Sequence, residues 1–173
     1  MLGIVANRIT GFKFLLKNQN REEDDDFISL KVELLEEGEL ISTERLDEIS
    51  KEEFARLQSQ LLDAVAVNLD VGDNWTLSKE CSKRSRVLGV VNMFKIDILE
   101  ENEDGTKKIL VEFIKNGYYA AESVFNNVTD KKIREIRKMI AENMAYNFKC
   151  QKQCNAVTYL DLIVVIEQKI SNE

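Results

Sequence analysis

The apolar residues of the chain form a pattern that repeats at a constant offset of 79 residues, and this repeat limits the possible folds more than any other feature. The matched pairs are Leu30 and Ile109, Leu34 and Phe113, Gly38 and Gly117, Ser50 and Thr129, and Leu57 and Ile136. The strand before them matches at an offset of 82, because the first hairpin loop is longer by three residues. A repeat of this size is one supersecondary unit that cannot bury its apolar face alone. We therefore predict an internal duplication whose two units share one core.

Alternating apolar and polar residues predict two strands at the start of each unit. In the first unit these strands lie at residues 9–17 and 27–36. In the second unit they lie around residues 94–98 and 109–113, and the Asp104-Gly105 pair between them is typical of a tight hairpin turn. Each unit is therefore predicted to begin with a β-hairpin.

A helix is predicted after each hairpin. Ser50 and Glu53 have the spacing of a capping box, in which each side chain accepts a hydrogen bond from the other residue's backbone amide. This first helix should end near residue 67, and the second should begin at Thr129 or Asp130. Apolar residues at helical spacing give each helix one buried face. These residues are Phe54, Leu57, Leu61, Leu62 and Val65 in the first helix, and Ile133, Ile136, Ile140 and Met144 in the second.

Residues 156–166 are apolar on both faces, which predicts a central strand that closes the sheet. Residues 64–71 stand at the corresponding place of the first unit. They suggest a similar strand after a shorter first helix.

The predicted fold class is α+β: an antiparallel sheet with two packed helices, built by internal duplication of a ββα unit. The length of 173 residues favours a single domain over residues 1–173. We place the two repeats at about residues 8–71 and 88–166, joined by residues 72–87.

The chain is acidic, with 24 basic and 31 acidic side chains and a net charge of −7. Residues 1–80 carry 9 basic and 18 acidic side chains, whereas residues 81–173 carry 15 basic and 13 acidic ones. This polarity suits a protein partner or self-association, and it argues against duplex DNA, which favours a strong basic stripe. No apolar run is long enough for a membrane span, and the N-terminus lacks a basic signal-peptide region. A cytoplasmic protein is expected.

The absence of histidine excludes Ser-His-Asp and Cys-His nucleophile systems and imidazole metal ligands. No carboxylate, lysine or cysteine stands in a recognisable catalytic spacing, and the chain has no glycine-rich phosphate loop. We therefore predict no catalytic residue, no bound cofactor and no metal site.

Three cysteines and an acidic run are the candidate metal ligands of the chain. Cys150 and Cys154 share one helical face, with Cys81 as a speculative third ligand, but so few thiolates without a histidine make a poor structural zinc site. Ordinary reduced thiols are expected. The acidic run at residues 22–26 is interpreted as a solvated loop, because five consecutive carboxylates do not converge on one cation.

Candidate partner-binding residues are of two kinds. Trp75 lies in a loop-like setting, where it is either an exposed interface aromatic or a cap on the core. Tyr118 and Tyr119 follow Gly117 on a strand, so one ring is expected to point inward and the other outward. The second helix also has a basic side, formed by Lys131, Arg134, Arg137 and Lys138. That side suits an acidic partner, an anionic membrane surface or RNA. A solvated basic face is the simpler interpretation, and contact with the acidic first half of the same chain is another.

The stretch from about residue 87 to 145 contains a hairpin, the run Val-Glu-Phe-Ile-Lys-Asn-Gly-Tyr-Tyr, a short polar turn and an amphipathic helix, and Val32 to Gly38 is similar to the same run. In this order of elements the stretch resembles the SecB-type export chaperones. The aromatic-Pro-Tyr-x-Arg segment of that family is missing, and residues 143–148 stand in its place. The resemblance implies an antiparallel sheet backed by helices, oligomers, and apolar grooves for unfolded chains.

The main functional hypothesis is a non-enzymatic protein-binding module, either chaperone-like or a dedicated adaptor. It depends on the missing catalytic set, the polarised charge and the edge strands, which can accept a partner. One alternative is a small enzyme that uses carboxylate, lysine or cysteine chemistry. Another is a nucleic-acid accessory protein that acts through the basic side of the second helix.

Overall fold

Each half of the chain forms three antiparallel strands followed by a long helix. A computed structural model describes residues 6–17, 26–71, 89–149 and 156–172. The elements are β1 Gly11–Leu16, β2 Phe27–Glu36, β3 Glu39–Ser50, α1 Lys51–Asn68, β4 Met93–Glu101, β5 Lys107–Lys115, β6 Tyr118–Val128, α2 Asp130–Lys149 and α3 Tyr159–Ser171. The strands form two sheets, in the orders β1-β2-β3 and β4-β5-β6. The predicted α+β class is confirmed.

The structure corrects the predicted architecture in two ways. Each unit has three strands rather than two, the third being β3 or β6, and the strands form two sheets rather than one. Two-residue turns explain the extra strands. Glu37 and Gly38 have φ values of 47° and 83°, and Asn116 and Gly117 have 51° and 93°. Positive φ at both central residues is the requirement of a type I′ turn, which returns the chain directly alongside the strand before it.

The two halves correspond in detail at the offset of 79 residues. Register shifts occur at Ile28/Leu30 and Leu34/Leu35 in the first sheet and at Lys107/Ile109 and Phe113/Ile114 in the second. Glu48 and Asn127, also 79 residues apart, have φ values of 54° and 57°. The long helices begin at equivalent residues, Lys51 and Asp130. This correspondence is a property of the fold, while duplication as its origin stays a prediction.

The turn of each half is anchored on the first strand of the other half. The Phe14 amide donates a hydrogen bond to the Gly117 carbonyl (2.8 Å), and the Ile96 amide donates one to the Gly38 carbonyl (2.9 Å). These contacts are reciprocal, because Phe14 and Ile96 match at the offset of 82 residues. The two sheets therefore meet along two equivalent seams.

Two ion pairs between the halves lie close to these seams. Lys13 Nζ is 2.5 Å from Glu112 Oε2, and Lys95 Nζ is 3.2 Å from Glu33 Oε2. Burial on its own lowers the pKa of Lys95, but its hydrogen bond to Glu33 and the nearby carboxylates outweigh burial, so the pKa lies above its usual 10.5. The pairs are reciprocal at the same offsets, so the interior between the halves is polar as well as apolar.

The apolar core has two clusters, one under each long helix. Leu61, Leu62 and Val65 of α1 pack on the first sheet, and Ile136 and Ile140 of α2 pack on the second. Residues of the second half also enter the first cluster; they are Met93, Ile114 and Phe148. Within the described residues, no helix is both long and apolar enough to cross a membrane.

The strand predicted at residues 156–166 is wrong: this segment begins the helix α3. Leu162 and Ile166, one helical turn apart, are buried among the residues of the second cluster. Thr158 and Asp161 form a capping box at the start of the helix. Local capping and one-sided burial therefore override the strand preference of the β-branched residues. The strand suggested at residues 64–71 is wrong as well, because α1 continues to Asn68.

Replacing the α3 cap, Thr158→Ala, is expected to lower the free energy of unfolding by about 1 kcal/mol. The Thr158 hydroxyl accepts a hydrogen bond from the Asp161 amide at 3.2 Å, and this bond would be lost. Urea denaturation followed by circular dichroism measures the change. The conservative variant Thr158→Ser keeps the hydroxyl and should stay near wild type; equal losses in both variants would contradict a capping role.

Candidate protein-binding site

Strand β6 lies at the edge of the second sheet, whose strand order is β4-β5-β6. Its exposed apolar side chains include Tyr119, 56% exposed, and Val124, 44% exposed. Within the described residues, β6 pairs as a strand with β5 alone. Among the described residues, the Phe14 amide of β1 donates a hydrogen bond to the Gly117 carbonyl, just before β6 begins. The remaining edge therefore presents backbone donors and acceptors that another chain can pair with.

The equivalent edge strand of the first sheet, β3, has a very different surface. Its sequence contains five charged residues, whereas that of β6 contains one, Glu122. The charged residues of β3 and their β6 equivalents are Glu39 and Tyr118, Glu44 and Ser123, Arg45 and Val124, Asp47 and Asn126, and Glu48 and Asn127. Charged side chains protect an edge strand against pairing with other chains. The first sheet has this protection by charge and the second lacks it, although helix α3 contacts β6.

The predicted tyrosines lie at the start of β6 but in different surroundings. The Tyr118 ring packs edge-on against Phe14, with ring centroids 5.8 Å apart, and burial raises the pKa of Tyr118. Tyr119, the next residue, is the more exposed of the two. Tyr119 is therefore the more accessible of the two aromatics, while Tyr118 also packs on the first sheet.

The predicted basic residues lie on α2, and one of them contacts the first half. Lys131, Arg134 and Lys138 are exposed, whereas Arg137 is half-buried. Arg137 Nη1 donates a hydrogen bond to the Glu37 carbonyl at 3.4 Å. Its equivalent on α1, Gln58, donates to the Asn116 carbonyl at 2.9 Å. Arg137 therefore helps to hold the turn of the other half, which matches the interpretation of an intramolecular contact.

The other predicted residues fall outside the described part of the chain. These are Trp75, Cys81, Cys150, Cys154 and residues 22–25 of the acidic run. Asp26, at the end of that run, is exposed. Among the described residues, no group of three or more Cys, Asp or Glu side chains is arranged to hold a metal ion.

The shifted carboxyl pKa values outside the seams come from local hydrogen bonds. The Lys17 ammonium lowers the pKa of Asp47, and the Lys107 ammonium lowers that of Asp130. Hydrogen bonds from the Thr106 hydroxyl and amide lower the pKa of Asp104 in the β4–β5 turn. Each of these carboxylates therefore stabilises a strand end, a turn or a helix start.

The edge position of β6 is the functional feature that sequence reasoning missed. The sequence pattern singles out the two tyrosines but predicts no separate third strand around them. The sequence does show that five charged positions of the first half are uncharged at the matched positions of the second half. This difference points to an exposed edge only when β3 and β6 are both known to be edge strands. No family model, curated protein or solved structure matches the chain.

Proposed function

We propose that the protein is a non-enzymatic protein-binding module that takes an extended segment of a partner alongside β6. The observation that carries this proposal is that the edge strand β6 lacks protection by charge. Only one of its eleven residues is charged, compared with five in the equivalent strand β3. In strand addition, backbone hydrogen bonds provide affinity and alternate side chains provide specificity.

The side chains of β6 indicate which segments would be preferred. Glu122 and Val124 are two residues apart, so they share one face of the strand, and both are exposed. Phe125 points to the opposite face and is buried in the core of the second half. A partner strand would therefore place its side chains beside one carboxylate and one aliphatic group, which favours apolar residues with an occasional Lys or Arg.

Two forms of this function remain proposals. A chaperone-like protein binds many extended segments, and the resemblance to SecB-type chaperones supports this form. A dedicated adaptor binds one sequence. The same edge strand serves both, because backbone pairing tolerates many sequences unless side-chain contacts restrict them.

The test is selection of random-sequence peptides displayed on phage, followed by measurement of their affinity for variants of the full chain. Val124→Arg with Asn126→Asp gives β6 the residue types that β3 carries at the matched positions. We expect the selected peptides to bind this variant at least about tenfold more weakly, because the introduced charges oppose strand pairing. Selection of one motif would indicate an adaptor, and many unrelated apolar segments would indicate a chaperone.

The matched control is Thr43→Arg, which adds a charge at an exposed position of β3. It should bind the peptides as the wild type does. Hydrogen exchange adds a direct readout, since a bound strand should slow exchange of the amides between residues 120 and 126. Equal binding to wild type and to the β6 variant, or unchanged exchange along β6, would refute the proposal.

A further inference from the structure

A groove of about 350 Å³ lies between the end of β3 and the exposed side of α1. Its apolar residues are Leu46 and Ile49 of β3 and Leu57 of α1, and its polar residues are Glu53, Arg56 and Gln60. All three apolar residues are only partly buried. The groove is on the first half of the molecule, whereas β6 belongs to the second.

The equivalent positions in the second half are covered by a helix. Phe125, Val128 and Ile136, which match Leu46, Ile49 and Leu57, are 5%, 0% and 0% exposed. They share a core cluster with Leu162, Ile166 and Ile170 of α3. Helix α3 contacts both α2 and β6. The same three apolar positions are therefore closed by a helix in one half and half-open in the other.

The direction of α3 is known from its ends. Lys132 Nζ, near the start of α2, donates a hydrogen bond to the carbonyl of Asn172, at the end of α3. Helix α3 therefore runs antiparallel to α2. In the first half, the position of Lys132 is occupied by Glu53. The carboxylate of Glu53 would repel the negative partial charge of a helix C-terminus, so a helix in this orientation needs basic residues in its last turn.

We infer that this groove binds an amphipathic helix of a partner protein, antiparallel to α1. The helix would present Leu or Ile at positions i, i+4 and i+8, as Leu162, Ile166 and Ile170 do in α3, and would carry Lys or Arg in its last turn. Helix-in-groove binding of this kind depends on apolar anchors at that spacing. In the first half α1 lies against β2 and β3. The occupant would therefore be held by α1 and the end of β3.

The test uses a fluorescently labelled peptide of residues 156–172, which contains α3 and Lys169 in its last turn. Fluorescence anisotropy measures its binding to the full chain. We expect saturable binding that is weakened at least about tenfold by Leu57→Glu, which places a charge against the apolar face of the peptide. Gln60→Arg, at an exposed position of the groove rim, should weaken binding without affecting the core.

The matched control is Val67→Lys, because Val67 is 77% exposed on the same helix and does not line the groove. It should bind the peptide as the wild type does. Failure of the peptide to saturate, or equal binding by wild type, Leu57→Glu and Gln60→Arg, would overturn the inference. A concentration-dependent dimer that Leu57→Glu dissociates would also overturn it in favour of a second copy. The β6 variant Val124→Arg with Asn126→Asp should leave peptide binding unchanged, so the two proposals fail separately.

Discussion

Gly117→Ala and Gly38→Ala are each expected to lower the free energy of unfolding by about 2–5 kcal/mol. A Cβ at Gly117 would lie 2.5 Å from Phe12 Cε2 and 2.7 Å from the Phe14 ring. A Cβ at Gly38 would overlap Phe94 Cε2. Both glycines also have positive φ, which opposes any Cβ. Urea denaturation of each variant against wild type measures the loss.

Gly105→Ala is the control that separates the two causes. Gly105 also has positive φ, but nothing lies within 4 Å of the added Cβ. Only the backbone cost should remain, about 1 kcal/mol. If Gly105→Ala destabilised the protein as much as Gly38→Ala and Gly117→Ala, packing of the turns against the phenylalanines would not be the cause.

Lys95→Met is expected to lower the free energy of unfolding by about 3–5 kcal/mol, because Glu33 would lose its partner while 5% exposed. The double variant Lys95→Met with Glu33→Leu removes both charges and should recover most of the loss, since an apolar pair of similar volume avoids desolvation of two ions. Urea denaturation of both single variants and the double variant gives the coupling energy. A double variant as unstable as Lys95→Met would contradict this interpretation.

The same pair predicts a dependence on alkaline pH. The pKa of Lys95 in the folded protein lies above its usual 10.5. The stabilisation by protonated Lys95 is therefore complete below pH 10.5, the usual pKa of lysine in the unfolded chain. It is lost as the pH rises through the higher pKa of the folded protein. The wild type should lose more stability above pH 10.5 than the double variant, in which this lysine is absent.

Features that depend on neighbouring residues were predicted from the sequence. The capping box of Ser50 and Glu53 is present at the start of α1, and the Asp104-Gly105 turn joins β4 to β5. The apolar stripes on α1 and α2 face the core as predicted. These predictions succeed because capping, turn geometry and helical periodicity act over a few residues.

Features that depend on distant contacts were not predicted. Strand β3 carries five charged residues and its pairing with β2 has two register shifts, so its alternation is weak, and only pairing with β2 makes it a strand. Helix α3 consists mainly of apolar residues, so neither period is distinct in its sequence. The burial of Leu162 and Ile166 against the second sheet makes one face the inner one.

The candidate binding edge shows the same division. The sequence by itself determined that Tyr119, Glu122 and Val124 follow Gly117 and that their segment is poor in charge. Only the tertiary structure decided that this segment is the last strand of its sheet, and that α3 covers one groove while its equivalent stays half-open. The physical reason is that exposure of an edge or groove depends on which elements pack beside it, and those elements come from distant parts of the chain.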